Sequence, residues 1–338
     1  MNDILTHSGI TASGHLSASY TDGFNKGQSL NYRTFDTNAN TFEFNQAMLI
    51  VAKQPINGFG GLVNLLAGSD AKVVNAAYGN GSNADFALLQ AYLQYAHDNF
   101  SIIGGRYVTL AGNEVIDDSA DTNISRSFLF QLVEPLVHTG VRASYALGST
   151  TFYLGVNNGV YSGNAVDTNK QKTLEAGVSL APTSKSNLGI YDYYSHESGA
   201  GLNYADFVGS YQITQKLQFV LNGDWYSSHS TTAAEVNAYG LAGYLNYTYN
   251  DRWKGSLRGE FVKTKNVVTC PKGDGKCTLS EVTATVGYSP TAHFTVLGEL
   301  RYDISGDRIY ADPGSSPYST NAYSNDQGNI AVKAIYSF

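Results

Sequence analysis

Asn329-Ile330-Ala331-Val332-Lys333-Ala334-Ile335-Tyr336-Ser337-Phe338 closes the chain. Ile330, Val332, Ala334, Tyr336 and Phe338 fall on one parity, and Asn329, Ala331, Lys333, Ile335 and Ser337 on the other. A period of two with one apolar face and one mostly polar face predicts a half-buried β-strand. A strand that ends on an aromatic residue still has an edge to satisfy. Pairing with the first strand, which closes a barrel, satisfies it.

The same alternation runs back through the chain. Ile10, Ala12, Gly14, Leu16, Ala18 and Tyr20 share one face, with His15, Ser17 and Ser19 opposite. Phe42, Phe44, Met48, Ile50 and Ala52 mark a second strand, with Glu43 and Asn45 on its other side. Further on, Leu174, Ala176, Val178 and Leu180 leave Glu175 on the opposite parity, and Trp253, Gly255, Leu257, Gly259 and Phe261 leave Lys254, Arg258 and Glu260 there. Phe294, Val296, Gly298, Leu300 and Tyr302 do the same for Glu299, Arg301 and Asp303. If the apolar parity faces lipid, nearly every strand charge points inward. The cost avoided is about 2–4 kcal/mol for an Arg or Lys at the bilayer midplane. Asp192 breaks the rule, because it shares parity with Leu188 and Ile190; the expectation there is that Tyr191 and Tyr193 face outward instead.

Short turns near 54–60, 97–99, 148–149, 182–187, 214–215, 250–251 and 289–290 alternate with long polar loops near 21–40, 69–84, 110–135, 158–172, 196–203, 227–236, 264–278 and 304–328. Outward aromatics gather at both ends of the strands, as two membrane interfaces favour. The fold class is therefore all-β: a transmembrane up-and-down antiparallel β-barrel of about sixteen strands with short periplasmic turns and long extracellular loops. Residues 1–338 are read as a single outer-membrane barrel domain.

Composition agrees. Charged residues are 14% of the chain, below the soluble share of about a quarter, and there are 25 Tyr and 35 Gly. No apolar run reaches the length of a transmembrane helix. The net charge of −7 argues against nucleic acid. Met1-Asn2-Asp3-Ile4 lacks a signal-peptide pattern, so the chain is expected to be the mature form of a protein of the bacterial outer membrane. Cys270 and Cys277 bracket a short Gly- and Pro-containing stretch and read as a disulfide in an oxidising compartment. No metal site and no cofactor are expected, and no catalytic constellation is apparent. His138, with Ser125 or Ser127 upstream, is the nearest candidate for catalysis, and reads better as a pore-lining or loop-anchoring group.

Three motifs cluster between 104 and 145: Gly112 with Glu114, Ser125-Arg126-Ser127, and the run Pro135 to Arg142 containing His-Thr-Gly-Val-Arg. They resemble the OmpL-like family of outer-membrane β-barrel porins, and the terminal strand ending in Phe338 is similar to the closing strand of outer-membrane barrels. The resemblance implies a porin-like barrel and carries no catalytic residue across.

The functional reading is passive diffusion of small hydrophilic solutes or ions through a water-filled lumen. The alternatives are a non-transporting barrel acting as adhesin, receptor or scaffold, and, more weakly, an outer-membrane enzyme. Expected partners are outer-membrane lipid and lipopolysaccharide, with a homotrimer as an option. Glu43, Arg106, Arg142, Glu175, Arg258, Glu260, Glu299, Arg301 and Lys333 are the expected pore-lining charges, joined by Asp206, Asp224, Glu281 and Asp303. Water is expected to solvate them, since unpaired buried ions cost several kcal/mol each. Glu114, Asp117, Asp118 and Asp121 lie on the third long loop. By analogy with general porins that loop folds inward, with its acids facing Arg106, Arg142 and other wall arginines across a constriction.

Overall fold

The computed structural model describes residues 8–77, 84–161, 167, 169–197, 199–230, 233–271, 273–312 and 323–338. Fifteen strands follow one another: β1 (Thr11–Gly23), β2 (Thr41–Lys53), β3 (Asn57–Ala67), β4 (Phe86–His97), β5 (Phe100–Val108), β6 (Val137–Leu147), β7 (Thr150–Asn157), β8 (Thr173–Thr183), β9 (Ser186–Glu197), β10 (Ala200–Gln212), β11 (Leu217–Ser230), β12 (Val236–Thr248), β13 (Trp253–Lys265), β14 (Lys276–Thr291) and β15 (Phe294–Ser305). A two-stranded ribbon, β16 (Tyr310–Ala311) with β17 (Tyr323–Ser324), precedes the last strand, β18 (Asp326–Ser337). Each barrel strand pairs antiparallel with its neighbours in sequence, and β18 pairs with β15 and β1, closing a barrel of sixteen strands.

The seam joins β18 closely to β1. Gly14 and Phe338 exchange both backbone hydrogen bonds, at 3.0 and 2.9 Å. A Cβ on Gly14 would lie 2.3 Å from the Met48 carbonyl and 2.9 Å from the Phe338 ring, so only glycine lets the three segments meet. Leu241, Leu257, Val282, Leu300 and Val332 form part of a half-exposed outer band. Such a surface would be an aggregation hazard in water, and suits lipid.

Three departures from the expected pattern have local causes. The β1–β2 register shifts between Ser17 and Ala18, and the extra residue on β2 reverses its parity. Phe42 and Phe44 stay outside, whereas Met48, 2% exposed, turns into the barrel. On β9 the tyrosines do not turn out. Tyr193 is fully buried and its hydroxyl meets Thr109 and the Leu110 amide inside the barrel, so Asp192 keeps the parity of Ile190 and Tyr194. The expected long loop at 196–203 is instead a direct return from β9 to β10, with Ala200 opposite Glu197.

Two short helices lie between strands: α1 (Ser69–Ala77) and α2 (Phe128–Leu132). Ala71 and Val74 of α1 pack with Leu66, Ala87 and Leu89 of the neighbouring strands and with Ile116, Phe130 and Leu136. Phe128, Leu129 and Val133 pack against Tyr193, Tyr204, Val220, Tyr244 and Val262. The apolar core of this protein thus lies inside the barrel, around segment 109–136.

Candidate functional site: the lumen and its infolded segment

Segment 109–136 connects β5 to β6 and crosses the lumen. Its fixed points are wall side chains. The Asn113 amide donates to Asn222 at 2.9 Å; the Ile124 and Ser125 amides donate to Glu299 at 2.7 and 3.0 Å. Ser127 caps α2 through Phe130, and the Phe128 and Leu129 amides at the helix start donate to Glu260. A carboxylate there satisfies amides that the helix itself cannot. Asn123 donates to Thr285 at 2.7 Å.

Charge pairs complete the seam on the β13–β15 and β18 side. Arg258 is fully buried; it reaches Glu114 at 2.6 Å and Glu281 at 2.7 Å and donates to the Ser125 carbonyl at 2.7 Å. Arg301 pairs with Asp303 at 2.6 Å, donates to the Arg126 carbonyl, and lies over the Phe128 ring. Lys333 meets Asp118 at 2.8 Å, with Ser17 and Arg126 on the same carboxylate. Burial by itself would raise the Asp118 carboxyl; Lys333 and Arg126 outweigh it and hold it at about 2.

The expected pore-lining set divides. Glu175, Arg258, Glu260, Glu299, Arg301 and Lys333 all point into the barrel and are buried, as are Asp206, Asp224, Glu281 and Asp303. Arg142 also points in, but its partner is Glu175 on the wall, with Tyr107 under its guanidinium. Glu43 sits near the outer mouth and accepts from Asn38. Arg106 does not line the lumen. Tyr107 pairs in register with His138 and takes the inward parity, so Arg106, opposite Thr139, takes the other and donates to the Leu89 carbonyl. The loop acids therefore do not face Arg106 and Arg142. Glu114 meets Arg258; Asp118 meets Lys333 and Arg126; Asp121 meets Arg126 at 2.8 Å; and half-buried Asp117 stands 3.4 Å from His15. The expectation that water solvates the inner charges is likewise corrected: along this seam pairing does it, and the paired groups are dry. Close hydrogen-bonded geometry is what makes such burial tolerable.

One lumen group has no strand parity to reveal it, because it comes from a loop. Arg33, in the first long loop, reaches Asp36 at 2.7 Å, Asp303 at 3.1 Å and Asn329 at 2.6 Å. A lone Arg three residues before an Asp in a polar loop was the available signal. His138 stacks on Tyr193, with ring centroids 4.8 Å apart. Cys270 and Cys277 are joined as a disulfide beside the start of β14.

Free space remains on the turn side of the segment. One cavity of about 410 Å³ lies between Leu110 and Gly112 of the segment and Thr151, Ser179, Tyr191 and Ser210 of the wall. Another, of about 310 Å³, lies between Ser119 and Thr122 and the wall residues Asn246, Lys254 and Ser256.

A closed sixteen-stranded barrel with an apolar outer band and a segment folded into a charged lumen defines the class of outer-membrane porin barrels. The chain belongs to the family described as "Putative beta-barrel porin-2, OmpL-like", whose pattern matches residues 9–338. Among solved structures it is similar to in-vitro folded OmpT, an outer membrane protein of Vibrio cholerae, in its trimer form, at 12% identity and TM-score 0.66, over 97% of this chain and 99% of that one. It is also similar to the outer membrane channel DcaP of Acinetobacter baumannii (12% identity, TM-score 0.63, 97% of each chain). The anion-selective porin from Comamonas acidovorans is a third (10% identity, TM-score 0.60, 97% of this chain and 99% of that one). No curated protein matches the sequence.

Proposed function

We propose that this protein is a porin of the bacterial outer membrane that passes small hydrophilic solutes by passive diffusion, with segment 109–136 as its constriction. Membership of a porin family carries the reading. Sixteen strands enclose a lumen wide enough for an aqueous path, whereas about eight would be filled by side chains alone. The two cavities on the turn side are lined in part by Ser, Thr and Asn and supply polar space beside the segment. The second of them is lined by Asp118 and Asp121, which, with the chain's charge of −7, supports a weak preference for cations. No catalytic step is assigned to the lumen. A homotrimer is proposed as the assembly, in keeping with the trimer form of the Vibrio cholerae barrel that shares the fold.

Purified protein in a planar bilayer tests this reading. Steady unit currents with a reversal potential on the cation side are expected in a salt gradient. A second reading, a barrel that does not conduct, is favoured by the dryness of Arg258, Glu281, Arg301 and Asp303. Absence of current from correctly folded protein would select it. Light scattering of the detergent-solubilised protein should give three copies; a monomer would reject the trimer and leave the channel untouched.

A further inference from the structure

The seam between segment 109–136 and the wall changes character at β10 and β11. Asp206 and Asp224 stand directly opposite each other in the β10–β11 register, both inside the barrel and both buried. Like charges facing across a strand pair repel. Glu134, at the end of the segment, is 5% exposed, and its carboxyl comes within hydrogen-bond reach of Asp224. Neither Glu134 oxygen finds a donor, and Asp206 Oδ2 finds none. The donors present are already shared out: Tyr204 donates to Asp224, Asn222 donates to Asp206 at 2.9 Å and to Asp224 at 3.2 Å, and the Gly112 amide serves Asp206. Gly112 also makes the room. A Cβ there would lie 2.1 Å from Glu134 Oε2, and its φ of +83° suits glycine.

Two ionised carboxylates are both acceptors and cannot bond to each other. Carboxyls packed this closely out of water share a proton. A metal ion is the other way to bring such oxygens together, but among the described residues no group of three or more His, Cys, Asp or Glu is arranged to hold one. The charged groups that bear most on Glu134 are Asp224, Asp206 and Glu114, all acidic, with the Tyr204 and Tyr244 phenols beside them. Burial and those neighbours push the Glu134 carboxyl well above the usual carboxylate range.

We propose that Glu134, Asp206 and Asp224 form a proton-operated latch that holds segment 109–136 against the β10–β11 wall and lets it go when the shared proton is lost. Docked, Glu134 is protonated; released into water, it ionises at ordinary pH. The docked state therefore binds more protons, and docking weakens as pH rises. At the opposite seam Glu114 pairs with Arg258 and Asp118 with Lys333, so that side carries its own cations and stays anchored. The segment would then swing from its β13–β15 anchor and widen the space next to β10 and β11. This deepens the channel reading only in its effect on current; the latch itself is independent of it.

Hydrogen exchange of the purified full-length protein, read by mass spectrometry from about pH 6 to about pH 10, brackets the range that buried carboxyls reach. After correction for intrinsic rates, amides of 109–136 should lose protection relative to β13 and β14, by up to about tenfold per pH unit for each proton released. Glu134→Gln should abolish that response, because an amide keeps a neutral donor there at every pH. Asp224→Asn supplies the same check should E134Q fail to fold. Flat protection in the wild type, or an unchanged response in the folded variants, would overturn the latch. Bilayer currents recorded in parallel separate the two ideas. A pH-dependent segment without current keeps the latch and rejects the channel; pH-independent current with flat protection does the reverse.

Discussion

The infolded segment meets the wall in two unlike ways. Toward β13–β15 and β18 every major contact joins opposite charges or a donor with an acceptor: Glu114 with Arg258, Asp118 with Lys333, and the Ile124 and Ser125 amides with Glu299. Toward β10 and β11 three acids converge with no cation between them. Both seams are buried, so solvent screens neither. The first holds by charge pairing. The second adds to the Asn113–Asn222 hydrogen bond a carboxyl cluster that holds only while protonated. One loop can thus be fixed along one edge and conditional along the other.

Breaking the anchored edge should have the largest effect. Arg258→Ala strands Glu114 in the barrel without its cation and leaves Glu281 only the more distant Arg301, 3.8 Å away, and should cost about 3–5 kcal/mol. Urea titration of the detergent-folded barrel reads this directly, and segment 109–136 should lose exchange protection at neutral pH. Replacing Arg258 together with both acids by apolar groups of similar volume should recover most of the loss, because the penalty comes from the stranded charges.

Lys333→Met is expected to be milder, because Arg126 and Ser17 still serve Asp118. A loss of about 1–3 kcal/mol, the usual penalty for an under-satisfied buried acceptor, should appear in the same titration. The Cys270–Cys277 bridge closes no long loop and touches neither edge, so its reduction should cost roughly 2–3 kcal/mol at most, with changed exchange confined to residues around 266–275. Mass spectrometry without reducing agent should find the bridge intact in periplasm-derived protein.

Charge changes that spare the anchor should be smaller still. Asp117→Asn removes a half-buried acid next in sequence to Asp118, which lines the 310 Å³ cavity, and should move the reversal potential slightly toward anions. The E114Q/D117N/D118N triple should move it further, while also loosening the anchored edge. An unchanged potential in the triple variant would remove segment 109–136 from the conducting path. Asp192→Leu, on the lipid parity of β9, should be neutral or slightly stabilising, by less than about 2 kcal/mol, since acids on that face cost less than bases.

Much of the fold can be read from local pattern. Strand parity is a property of adjacent residues, so Glu175, Arg258, Glu260, Glu299, Arg301 and Lys333 could be assigned to the lumen without knowing any partner. Parity fails where a bulge or a buried hydrogen bond intervenes. The register shift on β2 carries Met48 inside, Tyr107 displaces Arg106 from the lumen, and the Thr109 contact keeps Tyr193 inside. The length and acidity of 110–135 were likewise legible, but not the wall each acid meets.

What the sequence determined by itself was the barrel: a period of two sustained from Thr11 to Phe338, interrupted at intervals by turns and polar loops, admits few other ways to bury its apolar face. What only the tertiary structure decided was the company each charge keeps. Glu114 and Arg258 lie 144 positions apart and Asp118 and Lys333 lie 215 apart, while Glu134 comes to rest against two acids of the far wall. Alternation is set by the backbone of one strand and is written locally. Pairing across a lumen depends on strand register, barrel closure and the path of one loop together, and no short stretch of sequence contains all three.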